Sequence, residues 1–187
     1  MFTVHNENTA PEPSKPILAQ VRNSFGMIPN LERVMATAPA LLAGYVHLWN
    51  LFDTTSLTAI ERQVVYQTAN VENECEYCVP WHTKLAQAAG MPEAEIAALR
   101  DGSGLSDAKL EALRCFARTL ITERGKASPE AMAAFLAAGY THQHALEVIL
   151  GIGIKVMSNY TNSIAGTPLD PQVERLRWQK SNRVNRS

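Results

Sequence analysis

The chain has 187 residues, a net charge of −1 and a 46% share of hydrophobic residues, and only 19% of its residues are charged. This length suits one domain that buries a core without disulfide support. The balanced charge argues against a nucleic-acid-binding surface and against a disordered acidic tail.

The N-terminus and the longest apolar segment carry no targeting signal. Residues 1–7 have neither a basic nor an apolar region, so we expect no signal peptide. The apolar stretch 145–154 is interrupted by Glu147 and followed by Lys155, which makes it too short to cross a membrane. Three cysteines do not form the disulfide framework of a secreted protein. We therefore expect a cytoplasmic protein that contacts no membrane.

Helix signals dominate the first half of the chain. Three prolines among residues 1–16 indicate an extended arm, and a turn over residues 25–30 leads into a helix from about Leu31. An apolar helix follows Pro39. Thr58 and Glu61 form a capping box for a helix that ends near Asn73.

The second half continues the pattern. A helix is predicted from Cys78 to Ala89, with Pro80 tolerated in its first turn. Further helices are predicted over 92–102, 106–124, 128–139 and 141–166, with N-caps at Ser106, Ser128 and Thr141. Seven or eight helices with short connections predict an all-α, single-domain helical bundle over residues 1–187. Its core, residues 57–125, carries the cysteine motif, and residues 167–187 form a C-terminal tail.

The last long helix is apolar on most sides between Leu146 and Met157. Such a helix is expected to be buried all round, in the core or between subunits, which favours a homo-oligomer. Gly151 and Gly153 each cost about 1 kcal/mol of helix stability, which suggests close helix packing there. The basic segment 174–187 is predicted to be a solvated tail, with an arm that bridges subunits as the alternative.

Cys75, Cys78 and His82 form a Cys-x-x-Cys-x-x-x-His motif. Because residues four apart share a helix face, Cys78 and His82 are expected to face each other. The positive end of a helix dipole favours a thiolate at Cys78. Cys78 is therefore the candidate nucleophile, and Cys75 is the candidate partner that closes a disulfide.

Other interpretations of the motif remain open. Cys75, Cys78 and His82 could bind zinc together with His142 or His144. The cysteines could also form a structural disulfide or pack in the core beside an incidental histidine. The third cysteine, Cys115, is predicted to be a packing residue.

Gln63, Gln67 and Asn70 form a polar stripe on the preceding helix. A solvated face is the ordinary interpretation of such a stripe. The functional interpretation is a wall of the thiol pocket, because this helix runs directly into Cys75.

The run from Leu57 to Gly90, with its Asn-x-Cys-x-Tyr-Cys-x-x-x-His motif, resembles the alkylhydroperoxidase D-like branch of the carboxymuconolactone decarboxylase superfamily. The similarity extends more weakly to residues 25–42 and to the helix with Asn159 and Asn162. The resemblance implies an all-helical dimer, trimer or hexamer with peroxiredoxin activity and without metal or haem. It also implies that Cys78 is the peroxidatic thiol, Cys75 the resolving thiol and His82 part of a proton relay.

The sequence departs from this family at Gln63, where the relay commonly has a glutamate. An amide can orient His82 but cannot accept its proton. Glu61 already has a capping role, so Glu147, Glu72 or Glu74 could supply the carboxylate instead. The relay glutamate is therefore either replaced from one of these positions or absent.

The leading hypothesis is a thiol-dependent peroxidase that reduces hydroperoxides and is recycled by an external dithiol or thioredoxin-like reductant. A carboxymuconolactone decarboxylase-like enzyme is one alternative. A redox-sensing or thiol-disulfide protein without efficient turnover is the other.

Overall fold

The computed structural model describes residues 2–180, which form nine α-helices, two 3-10 helices and no strand. The α-helices are α1 (Lys15–Phe25), α2 (Asn30–Met35), α3 (Pro39–Phe52), α4 (Ala59–Glu72), α5 (Cys78–Ala88), α6 (Glu93–Asp101), α7 (Ala108–Thr122), α8 (Pro129–Ala137) and α9 (His142–Ala165). The 3-10 helices are Glu12–Ser14 and Pro171–Leu176. The prediction of an all-α fold is confirmed.

Helix α1 was not predicted, and the arm expected over residues 1–16 is shorter in the structure. Pro16 lies in the first turn of α1, where a proline is tolerated because its missing N–H would have no helical partner. Ser14 is buried and donates a hydrogen bond to the carbonyl oxygen of Ala36 at 2.8 Å. The segment just before α1 is therefore attached to the domain.

Helix α4 lies at the centre of the bundle and packs against α5, α6, α7 and α9. Its N-terminus is closed by the predicted capping box: Glu61 N–H donates to Thr58 Oγ1 at 3.2 Å, and Thr58 N–H donates to Glu61 Oε2 at 2.8 Å. Helix α7 is capped by Asp107 and not by Ser106, whose hydroxyl binds Glu95 instead. The central position of α4 places its side chains against both the motif helix α5 and the long helix α9.

Within this chain helix α9 is buried on one face only, so the core covers that face and burial of the other face between subunits stays a prediction. Gly151 lies on the buried face, where an added Cβ would come within 2.7 Å of Phe52 and 2.8 Å of Val65. Gly153 faces open space. The opposite face exposes apolar side chains in this chain: Leu146, Ile149, Val156, Tyr160 and Ile164. Within residues 2–180 no helix is long and apolar enough to cross a bilayer.

The segment after α9 packs on the domain. Asp170, Val173 and Trp178 are buried, and Trp178 Nε1 donates to the carbonyl oxygen of Arg100 at 2.9 Å. The prediction of a solvated tail is therefore wrong as far as Trp178. Gln179 and Lys180 are exposed, and the last part of that predicted tail, residues 181–187, lies outside the described residues.

Candidate active site

The two motif cysteines lie where the α4–α5 connection enters α5. Glu74 has a positive φ of 52°, and the N–H of Cys75 then donates to the carbonyl oxygen of Asn70 at 2.9 Å. Cys78 is the first residue of α5, and its N–H lies 3.3 Å from Cys75 Sγ. Both cysteines are buried free thiols. This turn therefore holds the two sulfurs together at the start of a helix.

Cys78 is surrounded by groups that stabilise its thiolate. Burial alone would raise the pKa of Cys78, but a hydrogen bond from Cys75, the positive charge of Lys155 and the amides of Asn159 and Asn162 lower it to about 6. Asn162 Nδ2 lies 3.2 Å from Cys78 Sγ. The same hydrogen bond to Cys78, together with burial, raises the pKa of Cys75. The pair is therefore asymmetric, with a thiolate at Cys78 and a thiol at Cys75.

His82 is held between two side chains. Its Nδ1 lies 2.8 Å from Gln63 Oε1, and its Nε2 lies 3.0 Å from Lys155 Nζ. An ammonium group only donates, so Nε2 is the acceptor and the Nδ1–H donates to Gln63. Burial and the charge of Lys155 lower the pKa of His82 well below its usual value. His82 is therefore a neutral imidazole with one defined tautomer.

The rest of the polar stripe on α4 is buried, so its ordinary interpretation as a solvated face is wrong. Gln67 Nε2 donates to the carbonyl oxygen of Val79 at 3.2 Å and to Thr83 Oγ1 at 3.3 Å. Asn70 Oδ1 accepts from Asn159 Nδ2 at 2.9 Å. The stripe therefore connects α4 to α5 and α9 directly beside the two thiols.

The three carboxylates considered as relay substitutes lie elsewhere. Glu147 accepts from the hydroxyl and the N–H of Ser56, at 2.6 Å and 3.1 Å. Glu72 pairs with Arg118, and Glu74 pairs with Lys180. Neither Glu147, Glu72 nor Glu74 replaces the missing carboxylate at His82.

A different carboxyl group, Glu32 of α2, lies in the cavity that contains Cys78. Its Oε2 is buried and has no hydrogen-bond partner among the described residues. Burial raises the pKa of Glu32 to about 8, and the negative charges of Asp170 and Cys78 add to the effect of burial, while its own backbone N–H and Lys155 oppose it. Glu32 is therefore protonated at neutral pH.

The cavity beside Cys78 is small and mostly apolar. Its volume is about 80 Å³, and its lining includes Cys78, His82 and Lys155 as well as Glu32. Aromatic and aliphatic side chains form most of its walls: Val21, Phe25, Tyr45, Trp49, Trp81 and Leu85. Exposed Ser24, Phe25 and Asn50 mark the side on which it reaches the protein surface.

Asp170 fixes the first turn of α5 against the rest of the domain. It accepts hydrogen bonds from the hydroxyl of Tyr77 at 2.5 Å, from Trp81 Nε1 at 2.9 Å and from the N–H of Asn30 at 3.1 Å. Tyr77 in turn accepts from the N–H of Leu31 at 3.1 Å. These bonds connect the motif helix to the start of α2 and therefore to Glu32.

Sequence reasoning missed three residues of the site. Lys155 could have been recognised from the sequence, because it lies inside the most apolar helix and a buried charge needs a partner. Glu32 and Asp170 lie in segments of ordinary amphipathic character, and nothing in their local pattern distinguishes them from surface carboxylates. Their positions depend on contacts between distant parts of the chain.

Two other predictions about cysteine and metal chemistry can be compared with the structure. Cys115 is exposed, with its sulfur 3.1 Å from Glu111 Oε1, so the prediction of a packing residue is wrong. Among residues 2–180, no three His, Cys, Asp or Glu side chains gather as metal ligands. The structure therefore does not bring His142 or His144 to the cysteine pair.

The fold is similar to that of several solved bacterial proteins. A peroxidase-related protein from Ralstonia eutropha JMP134, described as an alkylhydroperoxidase AhpD core, superposes with a TM-score of 0.80 at 16% identity, over 92% of this chain and 93% of that one. A peroxidase-related protein from Silicibacter sp. TM1040 gives a TM-score of 0.74 at 18% identity, over 88% of each chain. No curated protein matches the sequence significantly.

A third similar structure is the debrominase Bmp8, which has been solved alone and, as a cysteine-to-alanine variant, in complex with 2,3,4-tribromopyrrole. It gives a TM-score of 0.72 at 16% identity, over 88% of this chain and 89% of that one. These identities are too low to show more than the fold.

One part of the sequence also matches a known family. Residues 39–117, which include α4, the cysteine motif and α5, match the carboxymuconolactone decarboxylase family. Over these residues the chain is similar to the carboxymuconolactone decarboxylase family, and its fold is similar to that of the AhpD-like structure. The resemblance carried by Leu57 to Gly90 is therefore confirmed at the level of the superfamily.

Proposed function

We propose that this protein is a thiol-dependent peroxidase. The observation that carries the proposal is the position of Cys78, whose thiolate lies in an apolar cavity beside Lys155 and the Asn162 amide, with the Cys75 thiol adjacent. A thiolate of this kind is a good nucleophile towards a peroxide oxygen. The apolar walls favour an organic hydroperoxide.

The first step is an attack of the Cys78 thiolate on the terminal oxygen of the hydroperoxide. The S–O bond forms, the O–O bond breaks, and the products are the sulfenic acid of Cys78 and an alkoxide. Protonated Glu32 lies in the same cavity and supplies the proton that turns the alkoxide into an alcohol. The Cys75 thiol then condenses with the sulfenic acid, which releases water and forms the Cys75–Cys78 disulfide.

Gln63, His82 and Lys155 have positioning and electrostatic roles in this proposal. Gln63 fixes the tautomer of His82, and His82 holds the Lys155 ammonium at 3.0 Å. The Lys155 charge stabilises the Cys78 thiolate. The reaction requires no metal or cofactor, and a dithiol or thioredoxin-like reductant returns the disulfide to two thiols.

The test is the loss of thiols with a stoichiometric amount of cumene hydroperoxide, followed by turnover with dithiothreitol. Wild type and Cys115→Ser, the matched control at the third cysteine, are expected to lose two thiols per peroxide. Cys78→Ser is expected to lose none, and Cys75→Ser is expected to stop at a sulfenic acid that dimedone traps. Full peroxide consumption by Cys78→Ser would refute the proposal. Cys78-independent conversion of a carboxymuconolactone would support the decarboxylase alternative.

A second candidate function is the reductive dehalogenation of a halogenated aromatic compound. The supporting observation is the set of aromatic walls around Cys78, with Phe25, Trp49 and Trp81, together with the similar fold of a debrominase. In that reaction an aryl bromide, the Cys78 thiolate and the Cys75 thiol give the dehalogenated arene, bromide and the same disulfide. Bromide release from 2,3,4-tribromopyrrole by the reduced protein distinguishes this function from the peroxidase. If the Cys75–Cys78 disulfide forms but neither substrate is turned over, the result would support the redox-sensing role.

We also propose that the protein is a homo-oligomer. The exposed face of α9 presents Leu146, Ile149 and Ile164 in one line, and a second copy of the chain presents the same apolar stripe. Sedimentation equilibrium of wild type and Ile149→Glu tests this assembly. A monomeric wild type would contradict it.

A further inference from the structure

The two cysteines of the motif line different cavities. Cys78 lines the apolar cavity described above, whereas Cys75 lines a second cavity formed by the loop before α5 and the C-terminal half of α9. Cys75 is absent from the lining of the first cavity and Cys78 from that of the second. The thiol pair therefore separates two spaces.

The second cavity has the opposite character to the first. Its volume is about 360 Å³, and polar side chains dominate its lining: Asn73, Glu74, Glu76, Asn159, Asn162, Ser163 and Thr167. Glu74, Glu76 and Ser163 are exposed, so the cavity is accessible from their side. An apolar substrate gains little by entering such a space, whereas a polar molecule can be bound there.

Two buried atoms at this cavity have unused hydrogen-bonding capacity. Asn162 Oδ1 and Thr167 Oγ1 have no partner among the described residues. The other end of the Asn162 amide is engaged with the sulfurs, because Nδ2 lies 3.2 Å from Cys78 Sγ and 3.8 Å from Cys75 Sγ. Buried polar atoms without partners are rare, and the hydrogen-bonding capacity of these two is available to a polar ligand in the cavity. Asn162 can therefore contact such a ligand and both sulfurs at once.

We propose that a small polar thiol reductant enters through this second cavity and attacks Cys75, while the oxidising substrate reaches Cys78 from the apolar side. The inference rests on the proposed function only in that a Cys75–Cys78 disulfide forms. It names a separate binding site for the reductive half of the cycle, with Asn162 and Thr167 as hydrogen-bonding residues.

The different acidities of the two cysteines explain why the reductant should attack Cys75 and not Cys78. The thiolate of the reductant forms a bond to Cys75 Sγ, the Cys75–Cys78 bond breaks, and Cys78 leaves as a thiolate. A thiolate that Lys155, Asn159 and Asn162 stabilise is the better leaving group of the two. The second thiol of a dithiol then attacks the mixed disulfide at the reductant's own sulfur, which releases Cys75 as a thiol after it takes up a proton. The products are two cysteine thiols and an oxidised dithiol.

A matched pair of blocking variants tests the inference. Ser163 and Ser24 are both exposed and line the polar and the apolar cavity respectively. The disulfide is first formed with diamide, so the reduction by dithiothreitol can be measured whether or not a peroxide is the natural oxidant. Ser163→Trp is expected to slow this reduction by about tenfold or more, because the indole would keep the attacking sulfur of the reductant away from Cys75. Ser24→Trp is expected to leave the rate of reduction unchanged.

The reaction with cumene hydroperoxide is expected to show the reverse pattern, slowed in Ser24→Trp and unchanged in Ser163→Trp. If wild type does not react with peroxide, the proposed function is overturned. If its disulfide is still reduced more slowly in Ser163→Trp than in Ser24→Trp, the polar entry site is supported all the same. Reduction that is slowed by Ser24→Trp and not by Ser163→Trp would overturn the entry site.

A second measurement needs no variant. Oxidised wild type is treated with a monothiol, quenched with acid and fragmented in a mass spectrometer. The mixed-disulfide adduct is expected on Cys75. An adduct on Cys78 would show that the reductant uses the apolar side and would refute the inference.

Discussion

The ammonium nitrogen of Lys155 lies 3.0 Å from Nε2 of His82, and its charge stabilises the thiolate of Cys78. A buried cation on α9 thus lies beside the thiolate of α5 and the imidazole that Gln63 of α4 orients. A neutral residue of similar length would fill the same space without this charge.

Lys155→Met is expected to raise the pKa of Cys78 by about 1 unit or more, because a nearby opposite charge shifts a pKa by that order. The rate of iodoacetamide alkylation as a function of pH measures this pKa. Lys126→Met, at an exposed lysine, is the control and should leave the alkylation profile unchanged. An unchanged profile in Lys155→Met would show that the helix start and the amides alone activate Cys78.

Gln63→Glu is expected to raise the pKa of His82 by about 1–3 units, since a carboxylate would replace the amide oxygen that lies 2.8 Å from Nδ1. A faster reaction with peroxide in this variant would show that His82 also accepts a proton during the reaction, in addition to its positioning role. Titration of the His82 ring by NMR gives the pKa. Gln20→Glu, on the exposed face of α1, is the control for added charge. A His82 that titrates as in wild type would contradict this account.

Glu32→Gln is expected to slow the reaction with tert-butyl hydroperoxide by about 10²-fold or more, the usual contribution of a general acid. The reaction with peracetic acid should change little, because its carboxylate leaving group needs no proton. Glu147→Gln makes the same substitution outside the cavity and should affect neither substrate. An equal loss with both peroxides would assign Glu32 a structural role instead.

Glu32 should also make stability depend on pH. Its pKa rises from 4.5 to about 8 in the folded protein, so the folded state holds a proton that the unfolded state has lost between these values. The Glu32 contribution to the free energy of unfolding should therefore fall as pH rises from 4.5 to about 8, by up to about 1.4 kcal/mol per pH unit. The lowered pKa values of His82 and Cys78 act in the opposite direction, so the contribution of Glu32 is the difference between wild type and Glu32→Gln. Glu32→Gln should lack this dependence. Urea unfolding across this range measures both proteins, and parallel curves would show that Glu32 has an ordinary pKa.

Gly151 and Gly153 offer a matched pair on one helix. Gly151→Ala would place a Cβ 2.7 Å from Phe52 and should destabilise the protein by about 1–3 kcal/mol. Gly153→Ala meets open space and should stabilise the helix by up to about 1 kcal/mol. Thermal or urea unfolding of the two variants decides the point. Equal effects would mean that the contact between α9 and α3 relaxes freely.

The sequence by itself determined the all-α fold, most helix boundaries, the capping box at Thr58 and the start of α5 at Cys78. These features depend on local chemistry, since N-caps, prolines, glycines and apolar periodicity act within a few residues of one another. The proximity of Cys75 and Cys78 was equally local, because residues three apart meet at the start of one helix.

Only the tertiary structure decided which distant side chains complete the site. Lys155, Asn162, Glu32 and Asp170 are brought to the cysteines by the packing of α2, α9 and the segment after α9. Burial in that packed interior raises the pKa of Glu32 and lowers that of His82, and neither effect can be read from neighbouring residues. The one-sided burial of α9 within this chain and the positions of Cys75 and Cys78 against different cavities follow from the same packing. An amphipathic pattern specifies that a face is buried, but the partner against which it is buried is a property of the whole fold.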